Sequence, residues 1–330
     1  MFSQFFVLCL IWRLEFRFCF WESFYFARAK SGAEFGENKI MNFLKAFFAI
    51  LFLGICLNAQ QRPLITEDVD IIESGAVRIG TGVEFLQNAK FPLSGLKGDL
   101  TRLGVVDLEI GFAPNVQFEV NGTIQNFLAV NSQTRPARIP LDVSPTGTST
   151  NDIGDFSVAA KIKLRNETEN LPSVGFKFGF QIANTDQARG IGTNQNNIFG
   201  LILVGKKFGK TFPDRGRRFN AFGNIGIGIL PAPLEAFTQN DVLLYGFAGS
   251  YRVNNRFNIV SEVNGRLNTR SGRAPLGTES LGEFRLGTQI RASGLKFDAA
   301  AILGLTRYSP RSGVTFGVTY ESPSIFTPAK

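Results

Sequence analysis

Histidine is absent from all 330 residues, and cysteine is limited to Cys9, Cys19 and Cys56. Without imidazole there is no Ser-His triad, no histidine general base and no histidine metal ligand. The Ser-His phospholipase class of barrel enzyme is excluded on the same ground. All three cysteines precede residue 60, in a stretch expected to be removed, so what remains lacks thiol chemistry and disulfides. Charged residues are sparse at 19%. Beyond Ala59 no run of about 18 apolar residues occurs, which leaves no candidate transmembrane helix. No Lys/Arg stripe is present either, so nucleic acid is not an expected partner.

The N-terminus reads as export machinery. In Met41–Ala59, Lys45 supplies a positive start, Ala46 to Cys56 an apolar stretch, and Ala59 a small residue before a cut. This is the form of a secretory signal peptide over 41–59. Residues 1–40 precede it, rich in phenylalanine but broken by Arg13, Glu15, Arg17 and Glu22. They are expected to be an upstream extension, with translation starting at Met41; a longer signal or an added anchor is the alternative. Six of the 35 Lys/Arg and four of the 27 Asp/Glu lie before residue 60, which lowers the formal net charge from +8 to +6.

What the rest of the chain has is alternation. In Val174–Ile182, large apolar residues (Val174, Phe176, Phe178, Phe180, Ile182) alternate with Gly175, Lys177, Gly179 and Gln181. Strand side chains point to opposite faces in turn, so such a segment has one apolar and one polar face. The pattern recurs in twelve segments of roughly ten residues, the length of a strand crossing a bilayer. Short connections at 113–115, 254–255 and 293–294 alternate with long polar ones at 88–98, 130–152, 184–196, 231–240 and 269–279. Outer-membrane barrels have short periplasmic turns and long outer loops. Glycines recur on the polar face, at Gly80, Gly82, Gly175, Gly179, Gly226, Gly228, Gly287 and Gly317. They weaken a strand and fit a crowded lumen better than a solvent face. The expected fold is all-β: an antiparallel transmembrane β-barrel of about twelve strands over 76–321. A periplasmic segment over 60–75 should precede it and a tail over 322–330 follow. A soluble β-sandwich or cup, with the apolar row turned inward, is the competing fold.

The polar row carries charge of both signs. Lumen-facing candidates are Arg78, Glu84, Asp107, Glu109, Glu119, Lys161, Lys163, Arg165, Lys177, Glu262, Arg266, Glu283, Arg285, Arg291, Lys296 and Asp298. Acid and base rows on neighbouring strands suggest cross-strand ion pairs, a transverse field along a pore, or both. Asp107 and Glu109 share a face, as a two-carboxylate hydrolase would require, but they read better as wet lumen residues. No catalytic residue, metal or cofactor is expected.

Two motifs add to this. Arg62-Pro63-Leu64-Ile65-Thr66-Glu67-Asp68 follows the signal, and Ile153-Gly154-Asp155-Phe156-Ser157-Val158-Ala159-Ala160-Lys161 opens a later strand. With them the chain, over most of 61–320, resembles the outer-membrane protein family named for the MetA pathway of phenol degradation. That resemblance implies a barrel passing small aromatic or hydrophobic solutes, in contact with outer-membrane lipid and the barrel-assembly machinery. A non-transporting structural or surface barrel is the alternative. Outer-membrane barrels often end on an aromatic in the last strand; here Tyr320 would close it, and ten residues follow.

Overall fold

The computed structural model describes residues 62–134, 137–143, 148–212, 216–234 and 239–327. The expected upstream extension and signal peptide lie outside the described residues. Thirteen strands form one antiparallel sheet. They are β1 (Val77–Phe91), β2 (Leu96–Ala113), β3 (Val116–Gln133), β4 (Ser149–Asp152), β5 (Phe156–Arg165), β6 (Ser173–Ile182) and β7 (Asn197–Thr211). Then follow β8 (Arg217–Pro231), β9 (Gln239–Arg252), β10 (Phe257–Asn268), β11 (Leu281–Ala292), β12 (Leu295–Gly304) and β13 (Ser312–Glu321). Strand β1 pairs with both β2 and β13, from Arg78 opposite Glu321 to Gln87 opposite Ser312, so the sheet closes on itself. Twelve strands make the barrel. The short β4 extends the edge of β3 above β5, pairing Asn126–Ala129 with Ser149–Asp152.

The facing follows the alternation. Phe178 is 47% exposed and Phe247 67% exposed, whereas Lys177 between its phenylalanines is buried. No helix among the described residues could cross a membrane, so crossing falls to the strands. Closure suits this surface because no strand edge is left unpaired in lipid. Strand β7, whose nearly continuous apolar run leaves its facing open, turns Ile198, Ile202 and Val204 outward and buries Leu203 completely.

One connection departs from expectation. The stretch 88–98 is largely strand: β1 runs to Phe91, β2 begins at Leu96, and Gly95 N donates to Phe91 O across the tight turn (2.8 Å). A register shift between Leu86 and Ala89, with Asn88 at φ 54°, puts both Leu86 and Ala89 inside. The bulge breaks the period of two and so hides the strand from a periodicity reading.

Phe178→Lys should lose most of the SDS-resistant form, since a lysine at mid-bilayer costs ~2–4 kcal/mol. Phe178→Leu should keep it. Gel mobility of unboiled samples reads the difference, and a lysine variant that still migrates as folded barrel would place residue 178 away from lipid.

Candidate functional site: the threaded lumen

The segment expected in the periplasm, 60–75, is instead inside the barrel from Arg62 onward. Leu64, Thr66, Asp68, Val69 and Ile72 are all buried. The segment forms no strand with the wall; side chains of the wall hold it. A β-barrel has no other core, and its polar inner row offers hydrogen bonds that an unpaired backbone needs.

Its contacts fall in three levels. Near the turn side, the Asp70 carboxylate pairs with Lys163 (3.1 Å) and with Lys207. One step up, Glu67 lies between Lys161 (3.4 Å) and Lys177, and Glu119 of β3 binds the same two lysines, Lys161 at 3.3 Å. Gln117 ties this cluster to the seam. Its Nε2 donates to Glu119 (2.8 Å) and Glu109 (2.7 Å), and its Oε1 accepts from Ile72 N (3.0 Å). Arg78 in turn joins Glu109 (2.6 Å) to Glu321 (3.0 Å), linking β2, β1 and β13 where the barrel closes. At the top, Glu262 accepts Ile65 N (2.8 Å) and Thr66 N (2.7 Å). Arg285 joins Glu84 (2.8 Å) and Glu283 (3.1 Å) and reaches Pro63 O. Arg62 lies near Asp298 (3.7 Å) and donates to Val105 O (3.0 Å), beside a second bulge in β1–β2.

Two features shape the space. Leu64 packs in a buried cluster with Phe222, Ala248 and Val260, an apolar socket within the polar wall. The inner-face glycines leave room for Arg62. A Cβ on Gly82 would sit 2.1 Å from its Nη2, and one on Gly317 2.6 Å from its Nε. At Gly80, Gly82, Gly175 and Gly317 the crowding group is the chain's own N-terminal segment; at Gly179, Gly226, Gly228 and Gly287 it is the wall itself.

Most sequence-selected charges meet here. Arg78, Glu84, Glu109, Glu119, Lys161, Lys177, Glu262, Arg285, Lys296 and Asp298 are buried, and Asp107, Lys163, Arg266, Glu283 and Arg291 half-buried. Arg165 is the exception. A register shift between Lys163 and Arg165 leaves it exposed at the strand end, with Nε on Pro172 O (3.2 Å), outside the lumen network. Arg62, Glu67, Asp70, Gln117 and Gln289 were not selected. The motif 62–68 and the glycines opposite it were the available signal.

Above the segment, toward the long loops, the lumen opens into a cavity of about 250 Å³ lined by Leu86, Leu100, Arg102, Asp155, Ile191 and Arg266 among others. The second motif therefore also reaches the lumen, through Asp155. Gly154 N donates to Thr123 O (2.9 Å) and holds that corner against β3.

The structure resembles that of an outer membrane channel from Pseudomonas putida F1, with a TM-score of 0.55 and 13% identity, covering 77% of this chain and 98% of that one. Against the KdgM porin the TM-score is 0.42 at 9% identity, over 74% and 98% of the two chains. The first likeness is one of fold: a closed antiparallel β-barrel of the same general build. No protein-family model matches the chain, and no curated protein does.

Two acids of the segment titrate in opposite senses. Burial, then the neighbouring Asp70, pushes the Asp68 carboxyl up from 3.8 to about 7. Burial alone would raise Asp70 too, but Lys207 and then Lys163 outweigh it and hold Asp70 below its ordinary value. A docked Asp68 therefore keeps its proton where a free one has lost it. Its contribution to docking is full below 3.8 and is lost as pH rises through about 7. Asp70 contributes above its ordinary value and loses its ion pairs as pH falls below it. Corrected for the intrinsic base-catalysed rate, protection of the Ile65, Thr66 and Ile72 amides should thus be greatest in mildly acidic buffer, fall as pH rises toward 7 and level off above it. Asp68→Asn should flatten that fall; an unchanged protection profile would exclude Asp68 as its source.

Glu262→Ala should speed exchange at Ile65 and Thr66 at any pH. Hydrogen bonds to a buried carboxylate contribute roughly 1.5–3 kcal/mol, equivalent to about tenfold or more in local opening. Unaltered exchange would show that the segment is held without Glu262.

Proposed function

We propose that this protein is an outer-membrane channel for small solutes whose lumen is narrowed by its own residues 62–75. The observation that carries this reading is how the segment is held. It crosses the lumen without joining the sheet, on ion pairs and side-chain hydrogen bonds from β3, β5, β6, β7, β10 and β11. Such contacts can be exchanged for water one at a time while the barrel's own ladder stays intact. A twelve-stranded barrel is much narrower than a porin of sixteen, so slow passage of small molecules fits the bore. The motifs at 62–68 and 153–161, with their likeness to the MetA-pathway family, support small aromatic or hydrophobic compounds as the solute class. Outer-membrane lipid and the assembly machinery are the other partners this reading implies.

A second reading has an observation of its own. The lumen is filled at mid-height by Arg62, Leu64 and Glu67, which suits a structural or surface barrel that transports nothing. Planar-bilayer recording separates the two. The intact protein should give small conductance steps. Removing residues 64–73 should enlarge them several-fold, and the reversal potential in a salt gradient should move toward anions. The shift follows because Lys163 and Lys207 lose Asp70, and Lys161 and Lys177 lose Glu67, leaving a basic wall. No conductance from either protein would favour the structural barrel.

A further inference from the structure

The cavity above the threaded segment combines two chemistries that the rest of the lumen keeps apart. One wall is apolar. Leu86, Ala89 and Leu100 line it, part of a buried cluster completed behind them by Leu96, Leu128 and Ile302, with Ile191 of the 183–196 loop packed on that cluster. Wet lumens have no need of such a wall, and it favours the burial of an apolar ring against it. The facing wall carries charge, and the charges are unequally engaged.

Its acids are mostly occupied. Glu283 pairs with Arg285 (3.1 Å), and both oxygens of Glu279 accept Gly277 N (3.1 and 3.0 Å). Asp155 stays exposed to the cavity, with Arg102 and Arg266 among the charges that act on it. Its cations have capacity left. Arg102 makes one ion pair, to Glu84 at 3.1 Å, and its side chain stays 40% exposed to the cavity. Glu84 is already engaged by Arg285 at 2.8 Å. Among the described residues Arg266 binds main-chain oxygens alone, of Glu279 (2.9 Å) and Gly277 (3.1 Å). A guanidinium has more N–H donors than these bonds use, in a fork that fits a carboxylate.

We infer that this outer cavity is a binding site for a small carboxylic acid with an apolar body, its carboxylate on Arg102 and Arg266 and its body against the Leu86–Leu100 wall. At about 250 Å³ the space falls below the ~300–1,000 Å³ of sites for drug-sized ligands, which limits the body to about one ring. The inference rests on the channel reading above, which brings solutes to this mouth. It adds the anionic head group that a purely hydrophobic solute lacks.

The test uses the folded, SDS-resistant protein in detergent and calorimetric titration with four probes: benzoate, acetate, benzyl alcohol and benzylamine. Benzoate should bind saturably, and the other three at least about tenfold more weakly. Arg102→Gln should weaken benzoate about tenfold or more, because a charge-assisted bond is lost. Ile191→Glu, on a loop and so outside the barrel ladder, should weaken it similarly by placing an anion at the wall. Equal binding of benzyl alcohol or benzylamine, absence of saturation by benzoate, or indifference to both substitutions would overturn the site. Bilayer conductance of the same preparation keeps the two claims apart. Conductance without benzoate binding refutes the site alone, and benzoate binding without conductance refutes the channel while the site stands.

Discussion

A sheet that crosses lipid can leave no amide or carbonyl unpaired, and here that requirement is met by pairing β1 with β13. Closure has a consequence that organises everything else. It creates an inside that is neither solvent nor ordinary core, into which every second side chain must point. The outer row can simply be apolar. The inner row, with Lys161, Lys177, Glu109, Glu119, Glu262 and Arg285 all buried, has to find partners within the bore, because an isolated buried charge is very costly.

The strands alone do not supply all of those partners. Lys161, Lys163, Lys177 and Lys207 lie on neighbouring strands β5, β6 and β7, and among the described residues Glu119 is the one wall carboxylate paired with any of the first three. The N-terminal segment brings Glu67 and Asp70 to the same wall. It works as an internal counter-ion, threaded where the cations are. Removing one side of a buried ion pair costs more than the pair itself contributes. The segment can therefore move only if water or a solute takes its place. A lumen built this way is occupied by the chain's own carboxylates. Leu64, in its socket of Phe222, Ala248 and Val260, adds an apolar hold that does not titrate.

The upper lumen follows a different rule. There the bulge at Leu86–Ala89 turns extra apolar residues inward, and the polar groups are left with donors to spare at Arg102 and Arg266. Height along the bore thus separates a saturated ionic zone from an amphipathic one. A solute entering from the loop side meets the amphipathic zone before the threaded segment.

The sequence by itself determined most of the strands and which residues share a face, because alternation is local: Phe178 and Lys177 can be put on opposite faces without knowing any neighbour, while the closed barrel decided which face is outward. It determined even the crowding, since inner-face glycines such as Gly82 and Gly317 make sense only where something presses on them. Three things needed the tertiary structure. Register shifts changed parity without a composition signal: the one at Leu86–Ala89 hid the strand at 88–91, and the one at Lys163–Arg165 put Arg165 outside the lumen. The destination of 62–75 was illegible because an irregular segment has no period to read. The pairing of Glu67 with Lys161 and Lys177, close to a hundred residues away in sequence, was decided only when closure brought β5 and β6 around the segment. Local chemistry chose which side chains face in; the geometry of a closed sheet chose which of them meet.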